Sequence, residues 1–330
     1  MTPLRLPSVR FRQEREKGWR ELETLLDTLE SKGLRGLTPA QLQRLPVLYR
    51  AALSSLSVAR AVALDASLRD YLEALAAGAH RALYCGREPF VPAARRFANA
   101  TFPRAVRALW KQLLVASALL VLGTAVAWAE CARDPARFHD FVSSDYGQGR
   151  GPESTDSELL EVLTHEEEPR AALLRFGSFL FTHNAGIGLA SLGFGFAGGL
   201  PVIYLMLMNG LTVGAFGWLH HSRGMSAVFW GWMLPHGVTE ILALLLCGAG
   251  GLALGQALVF PGRRTRLASL AAAGSEAGVV AAGAVMMFLL AGVIEGVFRQ
   301  TVTAGFVRWP LAGSTLVFWT LYLTLAGRRR

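Results

Sequence analysis

The sequence predicts an all-α membrane protein: an N-terminal cytoplasmic helical domain, residues 1–108, followed by a six-span transmembrane helix bundle, residues 109–330. Three observations predict it. Apolar runs recur from Leu113 onward, each near the length of about 20 residues that a helix needs to cross a hydrocarbon core about 30 Å thick. Residues 12–83 instead alternate apolar and charged positions with helical period, and signals for strands are absent. With 52% apolar and only 17% charged residues in 330, the chain has enough apolar sequence for several spans and enough polar sequence for one modest domain.

The N-terminal domain is read helix by helix. Trp19, Leu22, Leu25, Leu26 and Leu29 share one face of a helix over 12–32, with charge on the other face, and Gly33 ends it. Thr38-Pro39-Ala40-Gln41 combines an N-cap, a proline at the first helical position and a glutamine that closes a capping box, so a second helix starts there and runs to about Val62. A third amphipathic run over Leu68, Tyr71, Leu72, Leu75, Ala79 and Leu83 completes a small antiparallel helical domain. Between residues 87 and 111, Arg95, Arg96, Arg104 and Arg107 alternate with Phe90, Phe97, Phe102, Leu109 and Trp110. That mixture suits a segment at the membrane surface, basic groups on anionic lipid and rings at the interface.

The predicted spans are Leu113–Ala129, Leu174–Phe196, Leu200–Leu219, Gly237–Val259, Gly278–Phe298 and Leu311–Ala326. Ala197-Gly198-Gly199-Leu200-Pro201 is short enough to force a helical hairpin. The apolar run from Ala227 is too long for one span, and Pro235 lacks the N–H that would continue a helix, so a short interfacial or re-entrant helix is expected near 227–235. The loop 130–170 holds 11 acidic and 3 basic residues up to Pro169 and is expected outside the cell, solvated and mobile. The basic N-terminal domain, the Arg263–Arg266 loop and Arg328–Arg330 then share the cytoplasmic side, which places both termini in the cytoplasm of a bacterial inner membrane protein.

Several function classes are excluded on composition. The net charge of +9 is explained by cytoplasmic loops of a membrane protein, and its basic residues are not interleaved with aromatics as in a single-strand binder, so no nucleic acid partner is expected. Cys85, Cys131 and Cys247 lie far apart without paired spacing, which argues against disulfides and a zinc ribbon. No cleavable signal peptide is visible. Glycines recur at four-residue spacing in Gly195/Gly199, Gly210/Gly214, Gly251/Gly255 and Gly292/Gly296, the pattern that lets helix backbones approach closely in lipid. It predicts a tight bundle, or a homodimer through one glycine-rich face.

Polar residues inside the apolar runs are the candidate site: His236, Glu240 and Glu295, with Asn209, His183 and Asn184 nearer mid-depth. His236 and Glu240 are four apart, hence on one helix face. Glu295 falls toward the same outer end of the next span, so the three are placed to share a site. A charge at the membrane centre costs about 2.5 to 3.5 kcal/mol. Such groups therefore pair with one another, line a wet cavity for protons, ions or a small ligand, or hold a metal. His236 and Glu240 alone provide only two ligands, HExxH is absent, and so no metal is assigned. No GxSxG, Walker A or GxGxxG opens a helix, so no catalytic residue and no cofactor is assigned and an enzyme is not expected.

The order and spacing of several short motifs resemble the stage II sporulation protein M family of bacterial integral membrane proteins. In the N-terminal part these are Arg15-Glu16, Trp19, Leu22-Glu23, Leu25-Leu26, Leu48-Tyr49-Arg50, His80 and Tyr84. In the membrane part they are Asn184, Asn209-Gly210, His236-Gly237, Glu240 and Glu295-Gly296. The resemblance implies a non-enzymatic multi-span protein, since the family's namesake works in a membrane complex with peptidoglycan-degrading partners. The expected function is an inner-membrane scaffold or accessory protein of a cell-envelope complex, with other membrane or envelope proteins as partners. The alternative is a channel or transporter-like protein built around His236, Glu240 and Glu295.

Overall fold

The computed structural model describes residues 7–61, 65–84, 90–143, 147, 149–164, 184–296 and 305–328. Every regular element among them is helical. The chain divides into two compact units, Met1–Ala93 and Ala94–Arg330.

The first unit contains α1 (Pro7–Lys32), α2 (Pro39–Ala61) and α3 (Ala66–Tyr84). Gly33 takes φ 65° and ψ −168°, a backbone conformation that glycine adopts without a side-chain clash, and α1 stops there. The capping box forms: the Thr38 N–H donates to Gln41 Oε1 at 2.8 Å, and the Gln41 N–H donates to Thr38 Oγ1 at 3.3 Å. Contacts of Glu21 with Arg44 and of Arg60 with Glu73 set the three helices antiparallel. Their shared core holds Trp19, Leu22 and Leu25 from α1, Leu45, Leu48 and Leu56 from α2, and Leu68, Leu72 and Leu75 from α3. Burying each such leucine contributes about 1.5–3 kcal/mol. The Trp19 indole N–H reaches Ser55 Oγ at 3.2 Å, so the polar atom that comes with the largest core side chain is satisfied.

The second unit takes in residues 94–108 together with the apolar helices. A π-helical turn, Phe97–Thr101, leads into α5 (Phe102–Ala108), the short helix Phe90–Arg96 before it being α4. There follow α6 (Trp110–Arg133), α7 (Phe138–Phe141), α8 (Asp156–Thr164), α9 (Asn184–Ala197), α10 (Leu200–Ser222), α11 (Ser226–Val259), α12 (Arg266–Ile294) and α13 (Gly305–Leu325). Four of these, α6, α10, α11 and α12, are long and apolar enough to cross a membrane. Of the predicted span Leu174–Phe196 only Asn184 onward lies within the described residues, and α13, with Arg308, Pro310 and several hydroxyls, is less apolar than the four.

Glycine sets how closely these helices approach. A Cβ at Gly210 would strike the Leu120 carbonyl, one at Gly214 the Thr124 carbonyl and one at Gly251 the Ser191 carbonyl, while one at Gly255 would lie 2.7 Å from Gly199 Cα. Backbone therefore rests on backbone between α6 and α10 and between α9 and α11. The same contacts give direction. α6 runs parallel to α10, and α9 parallel to α11; Val202 against Gly251 and Met206 against Gly248 set α10 antiparallel to α11. α12 is antiparallel to α11, with Ala277 against Gly250, whereas α13 is parallel to it, Trp309 lying on Gly231. Among the described residues, α6, α9, α10, α11, α12 and α13 thus alternate in direction along the chain.

Three expectations are corrected. α11 is one helix of 34 residues that passes through Pro235, with no separate element near 227–235. A proline deletes a single backbone hydrogen bond, and neighbouring helices re-satisfy the freed group inside a bundle. The described part of the acidic segment keeps most of its carboxylates exposed but folds onto the bundle: Thr155 and Glu158 form a capping box at the start of α8, and Leu159 and Leu163 are buried with Phe138, Val142, Phe216 and Leu219. Residues 97–109 are not simply on the surface either. Phe102, Val106 and Leu109 are buried with Val280, Ala284, Met287 and Trp319, and the Phe102 ring lies where a side chain at Gly283 would stand.

Candidate intramembrane polar site

The site sits where α11 crosses α12 and the start of α9. His236 and Glu240 lie one helical turn apart on α11, with the backbone of Thr239 between them; the antiparallel course of α12 brings Glu295, just past its last turn, against His236. His236 Nε2 is 3.7 Å from Glu295 Oε1. One ligand-type atom from each of His236, Glu240 and Glu295 lies within 4.8 Å of the others. His236 and Glu295 are only 7% and 4% exposed, while Glu240 is half-buried.

Neighbouring groups hold this arrangement. The Asn184 amide, at the start of the described part of α9, donates to Glu240 Oε1. The Trp232 ring meets the His236 ring edge-on, centroids 6.2 Å apart. Next to Glu240, the fully buried Thr239 hydroxyl accepts from the Trp319 indole N–H of α13 at 2.9 Å, which ties the site's helix to the last one. Two carboxyls and an imidazole in so apolar a setting must share protons, pair, or hold a cation, because desolvation penalises isolated charge.

The residues singled out in the sequence thus have separate fates. His236, Glu240 and Glu295 come together, and Asn184 joins them through Glu240 instead of sitting apart at mid-depth. Asn209 does not join: its amide donates to the Leu205 carbonyl of its own helix at 2.8 Å. His183 lies outside the described residues. Thr239 and Trp319 carry a buried bond that no local pattern announces, since the partners are 80 residues apart.

Long apolar helices packed backbone to backbone through glycine, with ionisable residues gathered inside, define a helical transmembrane protein. More than half of the chain, residues 112–298, matches the family model described as stage II sporulation protein M, and the chain belongs to that family. The match spans α6 to α12 and therefore all of His236, Glu240, Glu295 and Asn184. Residues 9–85, the three-helix unit, match a model described as a domain of unknown function (DUF8413). No curated protein and no solved structure matches the chain.

Proposed function

We propose that the protein is a multi-pass scaffold or accessory subunit of a cell-envelope complex in the bacterial cytoplasmic membrane. The observation that carries this reading is the joining of a polar three-helix unit with its own core to a family-defining bundle whose helices lock through glycine. Such a bundle is suited to holding a fixed shape, and the polar unit to recruiting partners on one side of the membrane. Co-purification from native membranes in mild detergent tests it. Stable envelope partners are expected; a protein that comes out alone and conducts ions in liposomes would defeat it.

The alternating directions of α6, α9, α10, α11, α12 and α13 support six crossings with both termini in the cytoplasm. In that arrangement the acidic segment and the His236 end of α11 share the outer side, while the Arg263–Arg266 loop and the last arginines lie inside, in keeping with the positive-inside rule. A reporter active only in the cytoplasm, fused after Arg330, is expected to be active, and silence despite normal expression would overturn the topology.

A second reading, a channel or transporter-like protein, is favoured by the meeting of His236, Glu240 and Glu295, since intramembrane ionisable groups mark ion and proton paths in many bundles. Single cysteines at positions 240 and 295 in a cysteine-free background separate the two readings. Labelling by small water-soluble thiol reagents supports a wet path, and complete protection supports a structural cluster.

A further inference from the structure

We propose that His236, Glu240 and Glu295 form a binding site for one divalent transition-metal cation of the zinc, manganese or iron(II) class. The proposal rests on neither reading of the overall function. A helix that carries His and Glu four residues apart presents both on one face, half of a metal site; Glu295 arrives from the antiparallel α12 as a third ligand, its Oε1 3.7 Å from His236 Nε2.

The geometry is close to that of an occupied site. Ligand atoms about 2.0–2.2 Å from a zinc-like cation in tetrahedral array stand about 3.4 Å from one another. Here His236 Nε2 and Glu295 Oε1 are 3.7 Å apart, and all three ligand atoms lie within 4.8 Å of one another, so the set has to draw in by up to about 1.4 Å to hold a cation. The charge argument points the same way, because two carboxylates and a neutral imidazole carry two negative charges that a divalent cation neutralises without proton uptake. The donor set of one nitrogen and two carboxylates, with no thiolate, suits zinc, manganese or iron(II); a sulfur-preferring ion such as Cu(I) is disfavoured, and so is an all-oxygen binder such as Ca²⁺. Asn184, donating to Glu240 Oε1, supplies the outer hydrogen bond that orients a metal-binding carboxylate.

The test uses the full chain, without a histidine tag, purified in detergent, stripped with a chelator and exposed separately to Zn²⁺, Mn²⁺ and Fe²⁺, with Co²⁺ as a spectroscopic probe. About one equivalent of at least one ion is expected after gel filtration, together with a raised melting temperature and Co²⁺ ligand-field bands. Glu295→Gln and Glu240→Gln, which keep side-chain shape, should abolish all three signals; Asn184→Ala should weaken binding about 10- to 100-fold, as loss of an orienting outer hydrogen bond does. His139→Asn serves as a control for the exposed His139–Glu153 pair and should change nothing. Wild-type protein that retains none of the ions overturns the proposal whatever the variants do, and so does undiminished stoichiometry in the Glu240→Gln, Glu295→Gln double variant.

Discussion

Replacing Gly251 by alanine tests whether backbone contact between α9 and α11 holds the bundle. The added methyl would run into the Ser191 carbonyl oxygen and lie 3.0 Å from Val202 Cγ2 and 3.1 Å from the Ser191 carbonyl carbon. Two of those atoms are backbone, so the helices must part. Overpacking of this kind costs about 1–3 kcal/mol. Alanine favours the helix over glycine by up to about 1 kcal/mol, which offsets part of that. From the middle of that range, about 2 kcal/mol, the offset leaves a net loss of about 1–2 kcal/mol, which corresponds to a fall of about 2–8 °C in melting temperature for a unit of this size. The assay is built in: Cys131 and Cys247 are buried, so with Cys85 changed to serine a thiol-reactive fluorophore reports opening of the bundle during a thermal ramp in detergent. Gly292→Ala is the matched control, because nothing lies within 4 Å of the Cβ it would add, and it should leave the transition unchanged or raise it. Equal falls in both variants, or an unchanged Gly251→Ala, would refute the close-contact reasoning.

Three further outcomes are expected. Accepting from the Thr155 N–H and hydroxyl holds the Glu158 carboxyl below its usual value of 4.5. That cap therefore contributes fully above the unfolded carboxylate's pKa and is lost as pH falls through the lower folded value; hydrogen-exchange protection in α8 should be flat from neutral pH down to that range and then drop, and Glu158→Gln should remove the pH dependence. Leu72→Ala, at a fully buried position, should cost about 2–5 kcal/mol, read as lost exchange protection in α1 to α3. Trp319→Phe leaves the buried Thr239 hydroxyl without its indole donor and should cost about 1 kcal/mol of thermal stability; adding Thr239→Val should recover much of it, and a strictly additive double variant would show the bond to be uncoupled.

What could be read in advance follows from the range of the interactions. Thr38 and Gln41 are three residues apart, so their capping box was legible, and the same pattern stood at Thr155 and Glu158, where the acidic composition around it drew the eye to solvent. Three of the four spaced glycine pairs fall at close approaches, but the spacing does not name their partners. In the fourth pair the spacing is the same, yet Gly292 touches nothing that a side chain would displace, because periodicity reports one helix surface and says nothing of its neighbour. Pro235 was over-read, since the local rule for a broken helix ignores the packing that surrounds α11. Phe102, Val106 and Leu109 lie at spacings of four and three, a buried face, but the interleaved arginines resembled a surface pattern. Helical period pairs His236 with Glu240, and alternating span directions bring Glu295 to the same end, whereas Asn184 reaches Glu240 through a tertiary contact 56 residues away, which no local window contains.

The arginines of α5 reach to the far end of the chain. Arg107 Nη1 donates to the Leu323 carbonyl at 2.6 Å, and Arg104 Nε to the Gly327 carbonyl at 2.9 Å, so cationic groups meet the unsatisfied carbonyls at the end of α13. A ribosome makes those donors more than two hundred residues before their acceptors. While the intervening helices are made, α5 lacks the partners that α13 later supplies, Tyr322 beside the Phe102 ring among them. Synthesis of α13 through Gly327, and not insertion of the first span, is then the step that gives the α5 arginines their acceptors; a nascent chain stalled before Leu323 would leave them without those carbonyls.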